Sequence, residues 1–180
     1  SNTAIGWGAL TYSTADNNTS VGRDALGENT TGDANTAVGA NAGAAVTTAY
    51  RGTFVGSGAF NSITTGHRNT AFGYGCGGTG VTAYNNTLIG YKAGEAITTG
   101  DANTCIGRDA GKSITTALKN TFVGMEAGEF LTTGAGNVSI GDRAGFDLTT
   151  GNNNVFIGRL CGDTNTGDNT PTQVMTLKKD

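Results

Sequence analysis

Side chains that could take part in catalysis or bind a metal are few in this chain of 180 residues. His67 is the only histidine, so neither a histidine-based triad nor a histidine-rich metal site is expected. The three cysteines have no metal-ligand spacing. Cys76 and Cys161 occupy a slot that is alanine in other repeats, and Cys105 occupies a second such slot. We therefore predict that all three are small buried core residues.

The carboxylates do not recur at one fixed position. Asp24 and Asp109 share one repeat position, Asp33 and Asp101 share another, and no Gly-Gly-x-Gly-x-Asp calcium repeat is present. A polysaccharide depolymerase, which some fibres are, needs a pair of carboxylates around the scissile bond, and no such cluster is evident. The sequence predicts that the protein is not an enzyme and holds no metal or cofactor.

The polar turns are the candidate binding surface. Aromatic and polar side chains spaced along a rod could stack on sugars and hydrogen-bond to them. The alternative is that these turns are simply solvated parts of a passive shaft. The candidate residues are Tyr50, Arg51, His67, Arg68, Tyr84, Asn85, Leu118 and Lys119.

These turns belong to a phrase, Asn-Thr-x-Val/Ile-Gly, that occurs ten times along the chain. The first step between copies is 16 residues and the other eight are 17. Such regularity predicts an all-β parallel β-solenoid of about ten 17-residue coils over residues 1–163, with residues 164–180 as a C-terminal extension that leads to a following module. The glycines that close the phrase are Gly6, Gly22, Gly39, Gly56, Gly73, Gly90, Gly107, Gly124, Gly141 and Gly158.

The coil from residue 86 to 103 illustrates the expected structure. Its first segment is predicted to be a strand, with Thr87 and Ile89 on one face and Leu88 on the other. Because both faces are apolar or Thr in every coil, we expect the outer face to be covered as well. Ala93 lies in a cramped corner, and a second short strand follows around Ile97. The closing Gly-x-x-Asn turn is expected in solvent, and its asparagines in register predict a side-chain hydrogen-bond ladder.

The middle position of the strand alternates between small and large residues. From Ala37 onward every second coil is large, so the unit is about two coils. One hypothesis places this slot on the axis of three chains, where layers of Ala would relieve the crowding of layers of Phe. The alternative is that Phe fills the inside of a single solenoid. The slot contains Ala4, Ser20, Ala37, Phe54, Ala71, Leu88, Cys105, Phe122, Ser139 and Phe156.

Composition narrows the classes of partner. The net charge is −3 and the basic residues form no run, so nucleic acid is not expected as a partner. No stretch approaches the roughly 18 apolar residues of a membrane span, so we expect no membrane insertion of this fragment. The chain starts inside a repeat, and we expect it to be a piece of a longer protein.

The segment Asn-Thr-Ala-Ile-Gly-Trp-Gly-Ala-Leu at residues 2–10, followed by Asn-Thr-x-Val-Gly-x-x-Ala-Gly…Thr-Thr-Gly, resembles repeats of trimeric fibre proteins. These occur in phage tail fibres and bacterial surface fibres, and they are similar to the shorter head repeats of trimeric autotransporter adhesins. The resemblance implies a homotrimer of left-handed β-rolls in an extracellular fibre, on a phage tail or a bacterial surface. It also implies a structural or adhesive role in host or surface recognition, with a cell-surface glycan or protein as receptor. The segment from Thr170 to Asp180 resembles strands that precede a chaperone domain in such fibres.

An ice-binding β-solenoid is the alternative function, because threonines stand in register in eight coils. Two observations argue against it. The ladder changes to Val138 and Val155 at its end, and the alternating Phe/Ala face needs a cover. The ladder consists of Thr3, Thr19, Thr36, Thr53, Thr70, Thr87, Thr104 and Thr121.

Overall fold

A computed structural model describes residues 1–163, and the predicted extension at 164–180 lies outside the described residues. Ten strands of three residues pair in parallel in chain order and form one sheet. No helix in the described part of the chain is long and apolar enough to cross a membrane. The strands are β1 Thr3–Ile5, β2 Thr19–Val21, β3 Thr36–Val38, β4 Thr53–Val55, β5 Thr70–Phe72, β6 Thr87–Ile89, β7 Thr104–Ile106, β8 Thr121–Val123, β9 Val138–Ile140 and β10 Val155–Ile157.

Every strand pairs in register with the equivalent strand of the next coil, for example Thr87 with Thr104 and Ile89 with Ile106. Parallel strands lie about 4.8 Å apart, so nine steps give a sheet about 43 Å long. The β-solenoid of 17-residue coils that the repeat predicts is therefore confirmed. In β2 to β9 the side chains at the two ends of the strand point out of the coil and the middle one is buried inside it.

In each coil that another follows, the glycine at the end of the Asn-Thr-x-Val/Ile-Gly motif lies so close to the backbone of the next coil that no side chain fits there. Gly90 has φ +133°, a conformation that L residues rarely adopt. A Cβ atom there would lie within 3.0 Å of the carbonyl oxygen of Gly107, its counterpart one coil on. The other glycines of this ladder have the same φ sign and, where another follows, the same close approach.

The predicted second strand is wrong, because each coil contains a single strand. Around the Thr-Thr pair the chain curves, and three successive amides converge on one carbonyl of the next coil. Thr98, Thr99 and Gly100 donate to the carbonyl of Thr115 at 3.0, 3.2 and 3.1 Å. An extended strand would instead send alternate amides to different carbonyls. The apolar residue of this segment, Ile97 in this coil, is fully buried as expected.

The predicted asparagine ladder is confirmed, but it is buried and not in solvent. The backbone N–H of Asn103 donates to Oδ1 of Asn86 at 2.9 Å, and Asn120 repeats this contact on Asn103 at 3.1 Å. The Nδ2 group of Asn103 donates to the carbonyl of Ala117 at 2.8 Å, which ties the start of a coil to its end. Within this four-residue turn, only the two residues between the closing Gly or Ala and the next Asn reach the surface.

The hypothesis that the alternating slot faces a three-chain axis is wrong. From Ser20 to Ser139 these side chains are fully buried within their own coils, because the strand residues on either side point outward. Phe54 packs edge-on against Phe60 in the same coil, with Ala37 and Ala71 in the layers on either side. The alternation therefore lets thick core layers interdigitate with thin ones inside one solenoid.

Candidate functional site

The predicted turn residues of three consecutive coils form one aromatic stack. Tyr50 and His67 lie face to face, with ring centroids 3.8 Å apart and planes 25° apart. Tyr84 meets His67 nearly edge to face, at 5.4 Å and 71°. The backbone N–H of Tyr50 also donates to Nδ1 of His67 at 3.4 Å. Because one coil contains 17 residues, rings that are 17 residues apart in the sequence lie in direct contact in adjacent coils.

The residues that follow these rings form a second line along the same turns. Arg51, Arg68 and Asn85 all have φ near +57° and are exposed. The guanidinium carbons of Arg51 and Arg68 lie 5.6 and 6.0 Å from the centroid of the Tyr50 ring, within the range of a cation–π contact. We call these two lines together the turn row.

The turn row carries two guanidinium groups that form no ion pair with a described carboxylate. Among the described residues, three basic side chains form no ion pair: Arg51 and Arg68 in the turn row, and Lys119 in the same register two coils beyond Asn85. Burial and then the charge of Arg68 lower the pKa of His67 below its ordinary value, so the imidazole is neutral at pH 7. The ion-paired residues are Arg23, Lys92, Arg108, Lys112, Arg143 and Arg159.

Leu118 and Lys119 lie in the same register but apart from the aromatic stack. The intervening coil presents Asp101, whose carboxylate accepts the backbone N–H of Tyr84 at 2.7 Å, followed by Ala102. Leu118 is 41% exposed. The predicted surface residues therefore form one cluster of six and one separate pair, about 10 Å further along the rod.

The three cysteines are buried core residues, as predicted from the alanines at the same positions of other coils. Burial raises the pKa of Cys76 and of Cys105 to about 12, so both are thiols and not thiolates at neutral pH. Cys161 is also buried. Within residues 1–163, no group of three or more His, Cys, Asp or Glu side chains could hold a metal ion.

The exposed face of the sheet is the outer face for which the sequence predicts a cover. Its two ladders are the outward Thr side chains and the outward Val, Ile or Phe side chains, and we call it the strand face. Ile5, Phe72 and Ile157 are 60, 57 and 52% exposed there. No charged residue interrupts either ladder over ten coils.

A line of large exposed hydrophobic side chains beside the strand face was not predicted from the sequence. In four of the ten coils the residue after the ladder glycine is a large hydrophobic one, and its exposed fraction lies between 42 and 78%: Trp7, Tyr74, Tyr91 and Met125. Tyr74 and Tyr91 stack with centroids 5.6 Å apart and planes 11° apart. Their alignment follows from the 17-residue period.

Comparisons of the chain with protein-family models, curated proteins and solved structures gave no match.

Proposed function

We propose that this chain is a structural and adhesive segment of a homotrimeric fibre. In this arrangement the strand face is buried between the chains and the turn row faces outward. The single observation that carries the proposal is the strand face itself, an uncharged surface that runs the length of the sheet. Monomeric proteins rarely expose contiguous apolar patches of this extent, and larger patches mark interaction sites.

The three-fold arrangement is supported by the resemblance of the repeats to trimeric fibre proteins. A long, narrow apolar stripe parallel to the rod axis suits a fibre of parallel chains, because equivalent coils of each chain would meet at the same height. The hydroxyls of the outward strand Thr residues make no hydrogen bond within the described residues of their own chain, so they are available across such an interface. A fibre of this kind would lie outside the cell, on a phage tail or a bacterial surface.

The turn row is our candidate for the contact with a receptor, a cell-surface glycan or protein. Its two adjacent guanidinium groups lie beside the stacked rings of Tyr50 and His67. We expect the double variant R51A/R68A to lose binding of the labelled fibre to its target cells. Adhesion that is unchanged in this variant would contradict the assignment of the turn row.

The oligomeric state is the decisive measurement. Light scattering after size-exclusion chromatography should give a mass three times the 18.1 kDa of one chain. Ile89→Asp places a charge on the strand face and should yield single chains with unchanged circular dichroism, because Ile89 is 36% exposed in the single chain. Val81→Asp is the matched control, since Val81 is 45% exposed and lies off that face. A single-chain mass for the unsubstituted protein at micromolar concentration would refute the trimer.

An ice-binding solenoid is the second candidate, and one observation favours it. The Thr ladder lies on the outer surface in regular register, while the Phe/Ala slot is covered within its own coil, so that objection to ice binding no longer holds. The ring of Phe72, 57% exposed, interrupts the ladder of smaller aliphatic side chains beside the threonines, and Val138 and Val155 end the row of hydroxyls. Thermal hysteresis at micromolar protein concentration would favour ice binding over the fibre.

A further inference from the structure

A groove runs along the corner of the solenoid in its N-terminal half, on the far side of the exposed aromatic residues from the strand face. It consists of two depressions that share Asn61. The first, of about 650 Å³, is bordered by Trp7 and Tyr12. The second, of about 420 Å³, is bordered by Tyr74. We call the two together the corner groove.

The second depression is open because one corner position lacks a side chain at Gly58 and Gly75, whereas the space beside Gly8 in the first depression is partly filled by the side chain of Asp24. Gly8, Gly58 and Gly75 occupy this position, two residues after the ladder glycine. A Cβ atom built on Gly58 would have no neighbour within 4 Å, so the floor there is open backbone. The other seven coils carry a side chain at this position, namely Asp24, Asn41, Lys92, Asp109, Glu126, Arg143 and Leu160.

One wall of the groove is an aromatic ring held in a fixed orientation. Tyr91 stacks on Tyr74 with centroids 5.6 Å apart, and Tyr74 borders the depression that Ser57 and Gly58 also line. Tyr74 is 58% exposed. A ring that is already ordered loses little conformational entropy when a flat apolar ligand face packs on it.

The remaining groups are polar and include no unpaired cation; in the first depression Asp24 lies 3.6 Å from Arg23, and Glu28 adds one carboxylate. Asn41, Asn61 and Thr79 supply amide and hydroxyl groups to the second depression. The charge of Lys92 is compensated by Glu95, whose Oε1 lies 2.9 Å from Nζ. A surface with no uncompensated cation does not select a polyanion, and amides beside an aromatic face suit the hydroxyls and C–H faces of a sugar ring.

The same corner is closed in the C-terminal half by stacked ion pairs. Arg108 bridges Asp109 and Glu126, and Lys112 lies 3.3 Å from the carboxylate of Asp109. The groove thus has a defined end, and its length along the axis spans coils one to six.

We infer that the corner groove binds an uncharged oligosaccharide that lies along the rod, with one sugar ring on Tyr74 and another on Trp7. This site is separate from the turn row and uses a different chemistry, because it selects hydroxyls and apolar sugar faces and not charge. It does not require the trimer, since its residues come from one chain.

The sole tryptophan lies in the groove, so intrinsic fluorescence of Trp7 can report on binding. The probes are cellohexaose, maltohexaose, mannohexaose and chitohexaose, each titrated against the intact chain, with isothermal calorimetry as a second readout. We expect at least one of them to bind with a Kd of about 1 mM or tighter. Tyr74→Ala should weaken that Kd at least about tenfold.

Two further variants separate the groove from general effects on the fold. Ser57→Arg fills the second depression with a residue that three other coils carry at this position, so it should abolish binding while circular dichroism stays unchanged. Met125→Ala is the matched control, because Met125 occupies the same row three coils beyond Tyr74, and it should keep the full affinity.

The inference is overturned if none of the four sugars binds up to about 10 mM, or if Tyr74→Ala and Ser57→Arg bind like the unsubstituted chain. Preferential binding of heparin or of an oligonucleotide at the groove would also overturn it. The mass of each sample, measured in parallel, keeps this result distinct from the trimer: sugar binding by single chains refutes the trimer alone, and a trimer that binds no sugar refutes the groove alone.

Discussion

The glycine ladder offers the sharpest test of the fold, through Gly90→Ala in the sixth coil. Alanine at φ +133° would adopt a backbone conformation that costs on the order of 1–3 kcal/mol. Its Cβ would also press on the carbonyl of Gly107, a backbone atom that can move only if the coils separate. Forced contacts of this kind cost about 1–3 kcal/mol more. The expected loss in free energy of unfolding is therefore about 2–6 kcal/mol.

Gly58→Ala is the matched control for this substitution. Gly58 also has a positive φ, +68°, but an added Cβ would meet no atom within 4 Å. The expected loss is about 1–2 kcal/mol, the cost of a left-handed backbone alone. The difference between the two variants therefore combines the contact between coils with the greater backbone strain at φ +133°.

Urea unfolding followed by circular dichroism measures both losses. Each coil touches only its neighbours, so disruption of the sixth coil should also divide the array into shorter cooperative units and lower the m-value. Hydrogen exchange should show reduced protection on both sides of Gly90. Equal losses for Gly90→Ala and Gly58→Ala would refute the argument that this ladder holds adjacent coils together.

Four other outcomes follow from the described contacts. Asn103→Ala leaves buried backbone groups without partners and should cost about 2–4 kcal/mol in urea unfolding, against less than about 0.5 kcal/mol for the exposed Asn61→Ala. Phe54→Ala opens a cavity between thin core layers and should cost about 3–5 kcal/mol by the same measurement. Because the folded pKa of His67 is lowered, the unfolded state takes up its proton first, so the free energy of unfolding should fall as the pH drops below about 6.5, less so in His67→Gln. Cys105 should resist a thiol reagent at pH 8 until denaturant is added, and rapid native labelling would contradict its burial.

The period of the sequence was enough to predict the solenoid, its in-register sheet and its asparagine ladder, because each depends on one residue type returning every coil. The second strand could not be separated from a curved turn, since a buried Ile97 followed by two threonines suits either. The orientation of the alternating slot was also open, because a strand with two apolar faces does not reveal which one points inward. Tyr50 and His67 were named as turn residues, but their contact was not predicted, although their 17-residue spacing accounts for it. The corner groove depends on missing side chains, as at Gly58, which leave little positive signal in the sequence.

The alternation of thick and thin core layers bears on how such a chain avoids misfolding. Coils this similar could be skipped during folding, because the strand, glycine and asparagine ladders would close equally well over a looped-out repeat. Omission of the fifth coil would place Phe54 directly against Leu88 in place of Ala71, two thick layers in contact. Overpacking of that kind costs about 1–3 kcal/mol. The alternation of large and small core residues thus makes a fold that skips one coil less stable than the correct fold, although the other ladders would fit both.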